Sequence, residues 1–284
     1  MIIDFHTHSF PEKIALKALD KLSASANMPY YLSGTADALQ ASMQDAGIRY
    51  SVVLPIATSE KQHETINRAA IESNYHWKET GILSFGSVHP DNADYREIIR
   101  FIAENGIKGI KLHPVFQNVY MDDIRYLRII DCACENNLVI LTHAGYDISF
   151  PGQDYATPAH IKSMLQQVHP DKMILAHMGG WGCWNEVEEL LAEENVWLDT
   201  SFSLTKVEHC TAEASPWTPD QELLSNAQFR RIVDAIGADR IVFGSDSPWS
   251  RQSDSMLAIK NSGLDDASIE KILSSNARQL LGLI

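Results

Sequence analysis

From one end to the other, the chain alternates short apolar runs with amphipathic stretches. Eight runs stand out, at 2–6, 50–56, 81–88, 107–112, 137–142, 172–176, 195–201 and 240–245. Their shortness and near-continuous apolar character are those of strands covered on both faces. Between them, ALQASMQDAG, DYREIIRFIAENG, DIRYLRIIDCACENN and TPAHIKSMLQQVH repeat apolar positions at helical spacing. Gly47 suits a helix C-cap, and Thr157-Pro158 suits an N-cap followed by proline in the first turn. A helix after each strand returns the chain in parallel. Eight such units approach the roughly 250 residues of a (β/α)8 barrel, whereas a doubly wound sheet uses fewer strands. The expected fold is therefore α/β, a TIM barrel. No linker, charge block or low-complexity tract divides the chain, so a single domain over 1–284 is expected. The longest irregular stretches, 24–34, 145–156 and 203–219, are expected to cap its site.

Composition narrows the function. With 45% hydrophobic residues and a formal net charge of -14, the chain is globular and its average surface repels phosphates and anionic membranes. Neither a nucleic-acid nor a membrane role is expected. No run approaches the roughly 18 apolar residues of a membrane span, and no basic segment precedes an apolar one near the start, which points to the cytoplasm. The four cysteines, Cys132, Cys134, Cys183 and Cys210, form no repeated CxxC pair and read as ordinary thiols.

Unusual polar residues gather at the C-terminal ends of the apolar runs. His6 and His8 end the first run, His89 follows the third, Lys111 and His113 the fourth, His143 the fifth, His177 the sixth and Asp246 the eighth. In a (β/α)8 barrel these strand ends meet on one face, where the active site lies. Residues two apart on a strand point the same way, so His6 and His8 can offer two imidazoles to one ion, with Thr7 facing away. His143 and Asp246 complete a nitrogen and oxygen set suited to Zn, Fe, Mn or Co, with a position left for water. His63, His76, His160, His169 and His209 fall in helices or loops and take no role.

In the order IIDFHTH, GIKLHP, LTHAG, LAHMGG, VWLDTS, RIVFGSDSPW and SSNARQLLGL, the chain resembles the amidohydrolase superfamily along its full length. It is similar in particular to the branch of aminocarboxymuconate-semialdehyde decarboxylase, resorcylate-type decarboxylases and related lactonases. The resemblance implies a barrel holding one divalent metal, zinc before Mn, Fe or Co, on His6, His8, His143 and Asp246. A second metal on carboxylated Lys111 is not expected. It further implies that His177 contacts metal-bound water or substrate and that Lys111 or His113 holds a substrate carboxylate. Asp246, at the metal, is placed to accept the water proton and pass it on, His177 can share that role, and Lys111 and His113, with Arg251 just beyond Asp246 as another candidate, would position a small anionic substrate. The expected activity is metal-dependent hydrolysis of an amide, lactone or similar carbonyl compound; the alternative is non-oxidative decarboxylation of a small, possibly aromatic, carboxylic acid. Oligomerisation is common among such barrels, and nothing in the sequence requires it.

Overall fold

Among the described residues, nine parallel strands appear where the hydrophobic pattern predicts eight: β1 (Ile2–Thr7), β2 (Ile48–Val53), β3 (Ile82–Ser84), β4 (Gly86–Ser87), β5 (Gly109–Leu112), β6 (Val139–Thr142), β7 (Met173–Leu175), β8 (Trp197–Asp199) and β9 (Ile241–Val242). This is a computed structural model and it describes residues 1–283; Ile284 lies outside the described residues. The additional strand comes from the third apolar run, which breaks at Phe85. Two side-chain amides of the helix His63–Tyr75 explain the break. Asn74 pairs with the backbone of Ser84 (2.7 and 2.9 Å), and Asn67 pairs with that of Ser87 (2.9 and 3.0 Å), standing in for a neighbouring strand. Phe85 still donates its amide to Val53 at 2.9 Å, so β3 and β4 form one stave of the barrel.

The ring closes between its first and last staves. Strand pairing runs β1-β2-β3 and β4-β5-β6-β7-β8-β9, all parallel. The Phe5 amide reaches Phe243 O at 2.7 Å, the Asp246 amide reaches His6 O at 2.8 Å and the His8 amide reaches Ser247 O at 2.7 Å. A parallel bridge between Thr7 and Ser247 lies on the same seam. Asp4, fully buried at its centre, accepts from the Ser245 amide and hydroxyl and from Gln252 Nε2. Burial raises this carboxyl to about 6 despite those donors.

Period-two alternation sorts the strand residues into two cores. Phe5, Val52, Leu54, Phe85, Leu141 and Ile174 belong to an inner cluster that Leu280 and Leu281 of the C-terminal helix join. Their strand neighbours Val53, Ile110, Leu112, Ile140 and Leu175 pack in the larger cluster shared with the helices. The expected caps hold in part: Gly47 ends the helix Ala36–Ala46 with φ 69°, while Thr157 precedes Pro158–Leu165 without a side-chain cap bond. No helix among the described residues is long and apolar enough to cross a membrane.

Within β1 the register with β2 shifts between Asp4 and Thr7, where one extra residue opposes the partner strand. This bulge lets Phe5 remain in the inner cluster while the next residue, His6, lines the cavity above it. Phe5 meets Phe85 edge to face at 5.8 Å and is fully buried. Replacing Phe5 with Ala is expected to cost about 3–5 kcal/mol, read from the urea midpoint; a loss below about 1 kcal/mol would contradict its place in the inner core.

Candidate metal centre

The strand ends surround a cavity of about 840 Å³. His6, His8, Lys111, His113, His143, His177 and Asp246 all line it. Arg251, expected to bind substrate, does not. It precedes the helix Gln252–Lys260, its side chain is about half exposed, and its guanidinium lies 4.0 Å from the centre of the Tyr31 ring. The lysines lining the cavity are Lys111 and Lys61, the latter from the short helix Glu60–Gln62 after β2.

Hydrogen-bond partners decide where each imidazole keeps its lone pair. His6 Nδ1 lies 2.8 Å from Asp199 Oδ2 and His8 Nδ1 lies 3.0 Å from Leu54 O. Both partners only accept, so each neutral ring carries hydrogen on Nδ1 and turns a bare Nε2 to the cavity. Those two Nε2 atoms are 3.2 Å apart, and Asp246 Oδ1 sits 3.6 Å from one and 3.1 Å from the other. Three acceptors thus face one another without a proton among them. The cationic donor beside them is Lys111 Nζ, 3.3 Å from His6 Nε2.

A second contact follows the same logic. His143 Nε2 lies 3.0 Å from Tyr146 O, and His177 Nδ1 lies 3.0 Å from Ser201 O. The remaining atoms, His143 Nδ1 and His177 Nε2, are both lone pairs and stand 3.1 Å apart. Such a set of facing nitrogen and carboxylate acceptors fits a divalent cation and is poorly satisfied by protein alone. Donor atoms of His6, His8 and Asp246 converge tightly; His143 instead groups with His113 and Asp147. Of the four expected ligands, three therefore form one cluster and the fourth faces it from beside His177. His113 is stacked on His143 at 4.3 Å.

Local backbone aims two of these groups. Asp246 (φ 64°) and His177 (φ 57°) adopt the left-handed conformation that non-glycine residues rarely hold. Just after β6, Gly145 (φ +87°) bridges to both Ala156 and Trp181. A Cβ there would stand 2.2 Å from the Trp181 amide nitrogen. The loop bearing His143 is thereby fastened to the loop that follows His177.

Two groups in the site escaped the sequence reading. Asp199 ends its strand as the other candidates do, and that placement was the available signal. Its Oδ1 accepts from the amides of His177 (3.0 Å) and Ser201 (2.9 Å) and from the Ser201 hydroxyl, while Oδ2 takes His6. Asp147 lies in the irregular segment after β6, where no periodic signal exists.

A family model described as amidohydrolase matches residues 3–283. The chain belongs to the amidohydrolase family. No curated protein sequence matches it. Among solved structures, an uncharacterized TIM-barrel protein from Bordetella bronchiseptica is 16% identical, with TM-score 0.73 over 99% of this chain and 98% of that one. The 5-carboxyvanillate decarboxylase of Sphingomonas paucimobilis is 13% identical (TM-score 0.66, 99% and 98% covered). A dihydroxybenzoic acid decarboxylase from Polaromonas sp. JS666, solved with manganese and the inhibitor 2-nitroresorcinol, is 16% identical (TM-score 0.66, 99% and 97% covered). At these identities the likeness establishes the (β/α)8 architecture of the amidohydrolase chain.

Burial dominates the electrostatics of this amidohydrolase site. It lowers His6 to about 4, drives His113 and His143 well below the usual histidine range, and lowers His177. It also pushes Lys111 down to about 8, still protonated at neutral pH, and Asp147 up to about 6. Burial acts to raise Asp199 too, but its His6 Nδ1 and Ser201 hydroxyl partners outweigh it and hold this carboxyl below the usual carboxylate range.

Two measurements check this account. Between pH 6.5 and about 4 the unfolded histidines bind protons that the four buried ones refuse, so the metal-free protein loses stability as pH falls. Asp4 and Asp147, raised from 3.8 to about 6, act in the opposite sense but are outnumbered. The thermal midpoint of the metal-free protein should drop steadily from pH 7 to pH 4.5, and a rising midpoint would contradict the neutral cluster. Asp199→Asn presents an amide that can force the other His6 tautomer; metal affinity is expected to fall about 10–100-fold by competition with a chelator.

Proposed function

We propose that the protein is a divalent-metal-dependent, non-oxidative decarboxylase of a small cyclic carboxylate. The observation that carries this reading is a set of proton-free acceptors, with one buried ammonium beside them, lining a cavity large enough for a ring. In the proposed site His6, His8, His143 and Asp246 hold one ion, zinc by the donor chemistry, with manganese, iron or cobalt as the other occupants of such a set. When bound, that ion supplies positive charge that draws electron density from a substrate oxygen. Phe116, Phe202, Trp181 and Trp249 supply apolar surface along the cavity for the ring.

The chain's own residues do the rest. Lys111, protonated and buried, offsets the substrate carboxylate, which the overall charge of -14 would otherwise repel. Lys61 draws it in from the wall, the part the sequence suggests for Arg251. His113 faces the substrate from the stack on His143. Asp246 and His177 carry the proton that the reaction consumes: the bond from ring carbon to carboxyl carbon breaks, carbon dioxide leaves, and the electron pair kept by the ring carbon takes one proton. Support for decarboxylation over hydrolysis comes from two of the three similar structures, which are named as decarboxylases. Hydrolysis of an amide or lactone is the second reading, favoured by the description of the family itself.

Metal analysis of the purified protein should give about one ion per chain. With zinc or manganese loaded, mono- and dihydroxybenzoates incubated in heavy water should yield carbon dioxide and a product bearing one deuterium at the vacated carbon. Turnover of lactones or amides without carbon dioxide from any acid would instead select hydrolysis.

A further inference from the structure

The cavity extends well beyond the metal centre. Besides the strand ends it is lined by Val53 and Ile82, whose side chains leave β2 and β3 on the helix side of the barrel wall. Ile82 begins the stave that ends at Ser87, so about 16 Å of strand separates it from that stave's C-terminal end. Leu22 of the helix Ala15–Ala26, Met28 just beyond it and Ile66 of the helix His63–Tyr75 form the opposite wall. The cavity thus has two parts: a polar chamber over the barrel mouth, and an apolar arm between the outer face of β2 and β3 and those two helices. Among the described residues, no charged residue of the cavity lining lies on either helix, on β2 or on β3.

A ring at the metal centre does not use this arm. Benzene fits a cavity of about 150 Å³, so one ring leaves most of the space, about 840 Å³ in all, unfilled. Apolar walls gain nothing from water there, and they gain from any apolar group that displaces it. Between a strand pair and the helices packed on it there is depth for one layer of side chains, which suits an occupant as narrow as a side chain. We infer that the substrate is an acid bearing an unbranched alkyl chain, with its carboxylate at the metal centre and its chain in the arm alongside β2 and β3. Ala18, half-buried, and Ala69, exposed, flank the open side of the arm, where the chain can enter from solvent. A second copy of the protein is the other way to cover such an arm; its continuity with the acceptor cluster assigns it to the ligand. The inference rests on the reading of that cluster as the seat of a carboxylate, and adds to it the apolar half of the molecule.

Calorimetry on the metal-loaded full-length protein tests this with two series of probes. One is benzoate without a chain or with an ethyl, butyl, hexyl or octyl chain at the meta or para carbon, and the other is the unbranched alkanoates from butanoate to dodecanoate. Affinity is expected to rise about three-fold per added methylene in at least one series, and to level off once the arm is filled. Ala70→Leu narrows the arm from its buried side and Ala18→Phe from its open side. Either should bring the affinity ratio of the longest to the shortest acid down to two-fold or less. Because Ala18 is only half-buried, the second variant reads the arm even where the first does not fold. The absence of a rise with chain length in both series, or a rise that survives both substitutions with metal content unchanged, overturns the proposal. A dimer in sedimentation that dissociates in Ala18→Phe also overturns it, because the arm then belongs to an interface between copies. Carbon dioxide release is followed in parallel. A chain-length gain with no decarboxylation of any probe sustains the arm while refuting the proposed reaction, and decarboxylation of benzoates without such a gain does the reverse.

Discussion

Lone pairs that face one another without a proton between them are the constraint around which this barrel top is arranged. His6, His8 and Asp246 bring three acceptors to within 3.6 Å, an arrangement that repels itself in the absence of positive charge. Each imidazole is held in this posture from behind: Asp199 fixes His6, the Leu54 carbonyl fixes His8, and the Ser201 carbonyl fixes His177. The hydrogen bonds that close the ring between β1 and the segment 243–247 use the amides of Phe5, His8 and Asp246, so closure and convergence are one event. The bulge in β1 adds the remaining condition, packing Phe5 below while its successor faces the cavity.

Electrostatics on two scales then work against each other. The net charge of -14 keeps anions away from the surface as a whole, and screening confines that repulsion to about 10 Å at ordinary ionic strength. Inside the cavity Lys111 keeps its proton within a buried environment that strengthens its field, beside the carboxylate of Asp246. Selectivity for an anion would thus be built at short range, by a few fixed groups, and not by long-range steering.

Most of the barrel was legible because its strands are covered on both sides and so read as unbroken apolar runs. The rule that functional groups gather at their C-terminal ends located His6, His8, Lys111, His113, His143, His177 and Asp246 around one cavity. It failed where backbone direction, and not strand position, decides. Arg251 follows Asp246 closely in sequence, yet the chain has by then turned into a helix that carries its guanidinium onto Tyr31. His143 lies at a strand end as expected, but its ring is committed to Tyr146 and so faces His177. The split at Phe85 was invisible because it depends on two asparagines of the preceding helix, whose side-chain pairing with strand backbone leaves no mark on hydrophobic periodicity. Asp147 was silent for a related reason, since loops carry chemistry without a repeat.

The fastening at Gly145 has a consequence for how such a protein can diverge. With no room for a Cβ and with bridges to both Ala156 and Trp181, the segments after β6 and β7 cannot be remodelled one at a time. An insertion in either would drag the other and misplace His143 and His177 together. Variation in this part of the rim must therefore be inherited as a block, which leaves the irregular stretch at 24–34, whose Ala26 and Met28 line the cavity, as a place where mutation can explore new ligands without first dismantling the centre; the stretch 203–219, expected to cap the site, contributes no residue to that lining.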